Sequence, residues 1–211
     1  MNTRLFCLRP LCALVLVLGA GAAQADIATY TSQASFLAAV ADPGVDSYDD
    51  LAVREYGATL ERSAGAYTYT SSTTPSSFLF GAGTDADHWL STDKLSDAIT
   101  FSNFSGGVNA LGGNFFGSNA FGGFSPGATM VLTASDGSSV TYRLAGANLD
   151  SFVGFVSSAA LTSVRLGNDG STSIWVTANN LTLAAAVPEP TGWGMMLAAL
   201  ALLGMAARRR R

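Results

Sequence analysis

Residues 129–144 read TMVLTASDGSSVTYRL. Asp136-Gly137 at the centre is a strong two-residue hairpin signal, because a tight turn between antiparallel strands needs positive φ and glycine supplies it without steric cost. On the second arm Val140, Tyr142 and Leu144 point one way, and Ser139, Thr141 and Arg143 the other. That two-residue period belongs to a strand with one face on a core.

Working outward, the same alternation recurs in Ala66–Thr70 and Ala98–Phe101. Phe152–Val156, Leu161–Leu166, Ser173–Thr177 and Asn180–Leu183 read as further strands, with Asn168-Asp169-Gly170 as another turn. Ile27–Thr31 reads as a first strand, and Ser32–Ala41 as the one helix, capped by Ser32, with Phe36, Leu37 and Val40 on one face and Pro43-Gly44 as its stop. About ten short strands punctuated by turn residues predict a mainly β chain, a jelly-roll-like two-sheet sandwich with one short N-terminal helix.

The two chain ends differ from this middle. Residues 1–25 carry Arg4 and Arg9, an apolar run from Leu11 to Gly21, and Ala23-Gln24-Ala25. This is the pattern of a secretory signal peptide, with signal peptidase expected to cut between Ala25 and Asp26. Both cysteines, Cys7 and Cys12, fall inside it. The exported part is therefore expected to carry no disulfide and no thiolate metal site. From Asp26 to Val187 there are 162 residues, enough for a core without covalent staples. Six of the 11 basic residues lie in the terminal segments, while all 15 acids lie between Asp26 and Glu189, so that stretch carries a formal charge of −10. Such a field repels phosphate backbones and excludes nucleic acid as a partner.

Candidate chemistry in the middle is sparse. Gly123-Phe124-Ser125-Pro126-Gly127 fits the G-x-S-x-G nucleophile pattern, but Pro126 has no N–H to give an oxyanion, and a strand pattern follows where a hydrolase needs a helix. Gly81 to Ala86 fits a loose G-x-G-x-x-A with no helix after it. Thr84-Asp85-Ala86-Asp87-His88 places two carboxylates beside the only histidine, and a solvated loop entering a strand at Trp89–Ser91 explains it more simply than a metal site. Asp49, Asp50, Glu55 and Glu61 are the carboxylates from which a glycosidase pair would be drawn, and nothing separates them from surface charge. Ser105–Gly127 holds eight glycines among Phe115, Phe116, Phe121 and Phe124. It reads as a bulged strand, Val108–Phe116, and a loop whose rings close one end of the sandwich, in preference to a platform for stacking sugars. No catalytic residue, cofactor or metal is expected.

The C-terminal end is more specific. Val187-Pro188-Glu189-Pro190 is a stiff extended peptide, followed by a span of small and apolar residues over about 191–207 and by Arg208, Arg209, Arg210 and Arg211. At 1.5 Å per residue that span reaches about 25 Å, marginal for a single transmembrane helix. The arginines would hold its end in the cytoplasm, leaving the acidic domain outside.

These residues, with Trp193, resemble the PEP-CTERM sorting signal of exported proteins in exopolysaccharide-producing Gram-negative bacteria, also known as an ice-binding-protein C-terminal motif. The resemblance implies three segments: a signal peptide at 1–25, a β-sandwich ectodomain at 26–184, and a sorting signal at 185–211. It implies as partner an exosortase-type membrane protease-transpeptidase. The precursor would be anchored in the inner membrane, and the product would go to the cell surface or outside, with extracellular polysaccharide as a further partner. The middle is more loosely similar to the jelly-roll proteins that carry this signal: Ser35–Ala39 meets their early helix, Tyr48-Asp49 a Phe-Glu strand, Val153–Val156 a Gly-Phe strand, and Asn179-Asn180-Leu181 a closing Asp-Asn strand. Asn179 stands where the resemblance leads one to expect Asp, which weakens a calcium site built from Asp49 and Asn179. The resemblance brings no catalytic residues and implies a non-enzymatic surface or matrix protein. A secreted carbohydrate-binding module is the alternative, and a hydrolase ranks behind both.

Overall fold

Ser32 opens a helix as its sequence suggests: its backbone is extended and its hydroxyl accepts from the Ser35 N–H at 3.4 Å. In the computed structural model, which describes residues 26–84 and 86–187, this helix α1 (Gln33–Ala38) follows strand β1 (Ile27–Tyr30). It is shorter than the expected 32–41. The chain becomes extended at Val40, and Pro43 and Gly44 lie inside strand β2 (Val40–Asp46) instead of stopping a helix. Among the described residues strand β2 pairs only with the last strand, so a proline can sit in it with its missing N–H turned from the ladder. Gly44 is required there, since a Cβ would collide with the Ala64 carbonyl.

The remaining strands are β3 (Glu55–Tyr56), β4 (Thr59–Ala64), β5 (Tyr67–Ser72), β6 (Leu79–Thr84), β7 (Asp87–Thr92), β8 (Ile99–Ser102), β9 (Ala110–Ser118) and β10 (Phe124–Ser125). They continue as β11 (Ala128–Ser135), β12 (Ser139–Ala147), β13 (Phe152–Ser157), β14 (Ser163–Asn168) and β15 (Trp175–Ala186). The chain thus has fifteen strands among the described residues where about ten were expected. Two sheets form. The larger runs β1-β13-β9-β15-β7-β6-β3, with β10 on β9 and β2 on β15, and the smaller runs β12-β11-β14-β8-β5-β4. All pairings are antiparallel.

The deciding hairpin forms where expected, but its loop has three residues, Asp136 to Ser138, where two were expected. β11 and β12 pair from Ser135↔Ser139 to Met130↔Leu144, Gly137 takes φ 110°, and the Asp136 carboxylate accepts from the Ser138 N–H at 3.0 Å. Val140, Tyr142 and Leu144 pack against the core while Ser139, Thr141 and Arg143 are exposed.

Other segments shift. The two expected strands at 173–177 and 180–183 are one strand, β15, which absorbs a bulge between Asn179 and Thr182 with Asn180 at φ 50°. The ladder also continues past residue 184 to Ala186. The strand expected at 108–116 lies at 110–118. Tyr48-Asp49 is not a strand: Tyr48 sits at φ 63° between β2 and β3, where its buried hydrogen bonds hold it. His88 lies within β7, and Gly81 and Gly83 lie within β6.

Alternation sorts the larger sheet into two faces. Leu111 and Phe115 of β9, Val153 and Phe155 of β13, and Leu181 and Leu183 of β15 join the main core between the sheets. Their neighbours Ala110, Phe152 and Ala184 point to the other face and pack with Phe36 and Val40 as a second cluster. Helix α1 therefore caps one end of the outer face. Gly154 lets it close down, since a Cβ there would strike the Phe36 ring. Farther along that face Phe116 stacks edge-on with Trp89 and Phe124, at 5.3 and 5.9 Å between ring centres. Thus Phe115 and Phe116 are buried and Phe124 half-buried, while Phe121, expected to help close the sandwich, is 94% exposed.

Candidate functional site

The two ends of the described chain meet at one side of the larger sheet. Asp26 donates its N–H to the Ser158 hydroxyl at 3.1 Å and accepts from the Ser158 N–H at 3.1 Å, beginning β1 immediately. At the other end the Ala186 N–H bonds the Asn109 side-chain oxygen, and the Val187 N–H bonds the Ala39 carbonyl at 3.2 Å. Asn109 also accepts from the Ser157 N–H at 2.8 Å and donates to the Ala184 carbonyl, so one residue ties β13 to β15 at the exit. Between the ends lies an open hollow of about 740 Å³ with Tyr30, Asn109 and Val156 in its wall. Val187 is half exposed and is the last described residue. Of the expected processing residues the structure therefore describes Asp26 and Val187. Ala25, Pro188, Glu189, Pro190, Arg208 to Arg211 and the expected helix at 191–207 lie outside the described residues. No helix among the described residues is long and apolar enough to cross a membrane.

Of the carboxylates considered for catalysis, Asp49, Asp50 and Glu61 have partners within the fold, and Glu55, exposed on β3, has none among the described residues. Arg62 on β4 forks twice: its Nε and Nη2 reach Asp46 at 2.8 and 2.5 Å, and its Nη1 and Nη2 reach Asp50 at 2.8 and 2.6 Å. Its charged plane also lies 5.3 Å from the centre of the Tyr48 ring. Asp46 is buried, and the Tyr69 hydroxyl donates to it at 2.8 Å. With its one proton committed there, Tyr69 accepts from the Tyr48 hydroxyl 2.9 Å away. The Tyr48 N–H also donates to Asp46 at 3.1 Å. This network joins β2 of one sheet to β4 and β5 of the other.

The ionisations follow from that geometry. Hydrogen bonds from Arg62 hold the Asp50 carboxyl below its ordinary range, against a smaller effect of burial. Burial works against the charge of Arg62, but the bonds to Asp50 and Asp46 outweigh it and raise its pKa. Burial, and then the nearby Asp46 charge, push the Tyr48 hydroxyl well above the phenol range, and Tyr69 rises mainly through burial as well. Sequence reasoning missed this cluster, because Asp46, Arg62 and Tyr69 lie on three strands and share no local pattern.

The other candidates disperse. Glu61 accepts from Thr70 at 2.9 Å. Asp49 accepts from the His88 N–H at 3.3 Å, and its carbonyl lies 3.1 Å from His88 Nδ1. Asp87 accepts from the Asn179 amide at 2.9 Å. Asp49 and Asn179 thus bond neighbouring residues of β7 and not a common centre. No cluster of three or more His, Cys, Asp or Glu suited to a metal ion occurs among the described residues. Ser125 ends the short strand β10, Pro126 follows, and Gly127 at φ 80° leads into β11. The chain is therefore strand-turn-strand where a nucleophile elbow is strand-turn-helix.

Comparison with known families places a PEP-CTERM protein-sorting motif at residues 186–211. The match begins at the last residue of β15. This motif marks an exported protein whose membrane-anchored precursor is processed by exosortase, itself a membrane protein. The chain is thus a β-rich two-sheet sandwich carrying a sorting signal at its end. No curated protein matches the chain.

Proposed function

We propose that this is a non-enzymatic surface or matrix protein, delivered folded and then processed at its C-terminal signal. The observation that carries the reading is the junction. The sheet ends at Ala186, the signal begins there, and the Pro-Glu-Pro peptide follows after Val187 alone. Processing beyond that point leaves all the described strands intact, so the sandwich is the cargo. The non-enzymatic part is supported by the commitment of Asp46, Asp50, Glu61 and Asp87 to partners within the fold. The acidic surface suits a solvated exported module.

The test is processing in the native host. Replacing Pro188, Glu189 and Pro190 together by alanine is expected to leave a full-length chain in the membrane fraction, while the unaltered protein yields a shorter product outside it. Electrophoresis of the two fractions reads the result. An unchanged released product from the triple variant would reduce the Pro-Glu-Pro peptide to a spacer.

A further inference from the structure

A polar recess of about 190 Å³ opens on the outer face of the larger sheet, between Trp175 and the 119–123 turn. The strand register builds it: Glu55 pairs with Phe80, Phe80 with Ser91, and Trp175 with Ser118, so these side chains share one face. The turn is fixed above them. The Asn119 side-chain oxygen accepts from the N–H groups of Phe121 and Gly123 at 2.9 and 3.2 Å, and the buried Trp89 indole donates to the Gly122 carbonyl at 3.2 Å. Its tip carries the almost fully exposed Phe121.

The floor is made of hydroxyls whose protons are already used. Ser91 donates to the Val176 carbonyl at 3.1 Å, Ser118 lies 3.1 Å from Ser91, and the Thr177 hydroxyl lies 2.9 Å from Ser118. Each hydroxyl has one proton and two lone pairs, so a chain from Thr177 through Ser118 and Ser91 to the backbone leaves lone pairs for the recess. Glu55 adds a carboxylate that makes no hydrogen bond or ion pair among the described residues. Asp93 lines the recess as a second carboxylate, although its Oδ1 already accepts from the Phe78 N–H at 3.0 Å and from the Ser77 hydroxyl. Asn119 also lines the recess, and its amide NH₂ is a donor. The lining therefore combines an aromatic wall with a surplus of acceptors, and it calls for a ligand with an apolar face and several O–H donors.

We infer that this recess binds one neutral sugar ring of an extracellular polysaccharide. The C–H face of a pyranose stacks on Trp175 while its hydroxyls donate to Glu55, Ser91 and Ser118. The two carboxylates and the acidic domain reject uronic acids and phosphates. The volume lies below the roughly 300 Å³ at which pockets for drug-sized ligands begin, which restricts it to a single ring. This deepens the matrix reading and rests on it for the source of the sugar. Binding is measured on purified protein, so a failure here is separable from a failure of sorting.

The full chain, in a detergent without a sugar headgroup, is titrated with glucose, galactose, mannose and their β-linked disaccharides. Saturation-transfer NMR and tryptophan fluorescence report binding. At least one neutral sugar is expected to bind in the millimolar range, unaltered on recovery, with glucuronate failing to bind. Trp175→Ala is expected to weaken that binding by about tenfold or more, equivalent to about 1.4 kcal/mol. Glu55→Gln, at an exposed edge position, is expected to admit glucuronate, an effect that misfolding cannot imitate. Binding of methylammonium but of no neutral sugar would overturn the inference in favour of a cation site. Undiminished sugar binding by Trp175→Ala, or exclusion of glucuronate by Glu55→Gln as firm as in the unaltered chain, would also overturn it.

Discussion

Two polar regions of the sandwich make opposite use of their hydrogen-bonding capacity. Around Arg62, both carboxylates, the guanidinium and both tyrosine hydroxyls are bonded to one another, and Asp46 is almost wholly buried. In the recess beside Trp175 the hydroxyls of Ser91 and Ser118 have used their protons and one lone pair each, and Glu55 has no partner among the described residues. The first region is closed, and its energy holds the fold. The second keeps capacity free for something outside the chain. On this contrast, substitutions in the first should change stability strongly, and those in the second should change it little.

The largest effect is expected at Arg62. Arg62→Ala leaves the Asp46 charge buried without its counter-ion, and breaking a buried pair from one side costs about 3–5 kcal/mol. Thermal and urea melts read this. A loss no larger than that of a surface substitution would make the cluster decorative and remove the contrast.

Tyr69→Phe comes next. It removes the proton that Asp46 accepts and the acceptor that Tyr48 uses, leaving buried polar groups unmatched at about 1–3 kcal/mol. The same hydroxyls give the fold an alkaline limit. Their pKa values are raised in the folded state, so their contribution is complete below the unfolded phenol value near 10 and is lost as pH rises beyond it. Melting temperature should fall above about pH 10, and less steeply in Tyr69→Phe.

How much of this was legible in the sequence depends on whether the signal is local. The 129–144 hairpin was readable because its turn residues and its alternation lie side by side. The sorting signal was readable because it is one contiguous peptide. The helix was placed correctly at Ser32 but extended too far, since Val40 fits the helical face as well as it fits β2. Strands β4 and β6 were missed because β4, TLERSA, is polar at a sheet edge, and β6, LFGAGT, carries two glycines that look like loop. The Arg62 network and the recess could not be read at all. Each draws its side chains from three or more strands, and only the register brings Glu55, Phe80 and Ser91 into one row.

A smaller effect is expected at Asp50, which shares Arg62 but stands mostly in solvent. Its pKa is lowered in the folded state, so its contribution is present above the unfolded carboxylate value near 4 and is lost as pH falls through the folded value. Asp50→Asn should lower stability at pH 7 by about 1 kcal/mol or less, as exposed pairs do, and the difference from the unaltered chain should vanish in acid. A difference that persists at low pH would mean that Asp50 acts through shape and not through charge.

The smallest effect is expected at Glu55, where the contrast is sharpest. Its side chain is exposed on the short edge strand β3 and has no partner among the described residues, and its backbone pairing with Phe80 does not depend on the carboxylate. Glu55→Gln keeps the size and removes the charge. Stability should therefore stay within about 0.5 kcal/mol of the unaltered chain, the usual range for a surface position without special contacts. A melt that moved further in the destabilising direction would show that the carboxylate is already bonded inside the fold. The recess would then belong with the Arg62 network as a closed region, and its acceptors would not be free for a ligand.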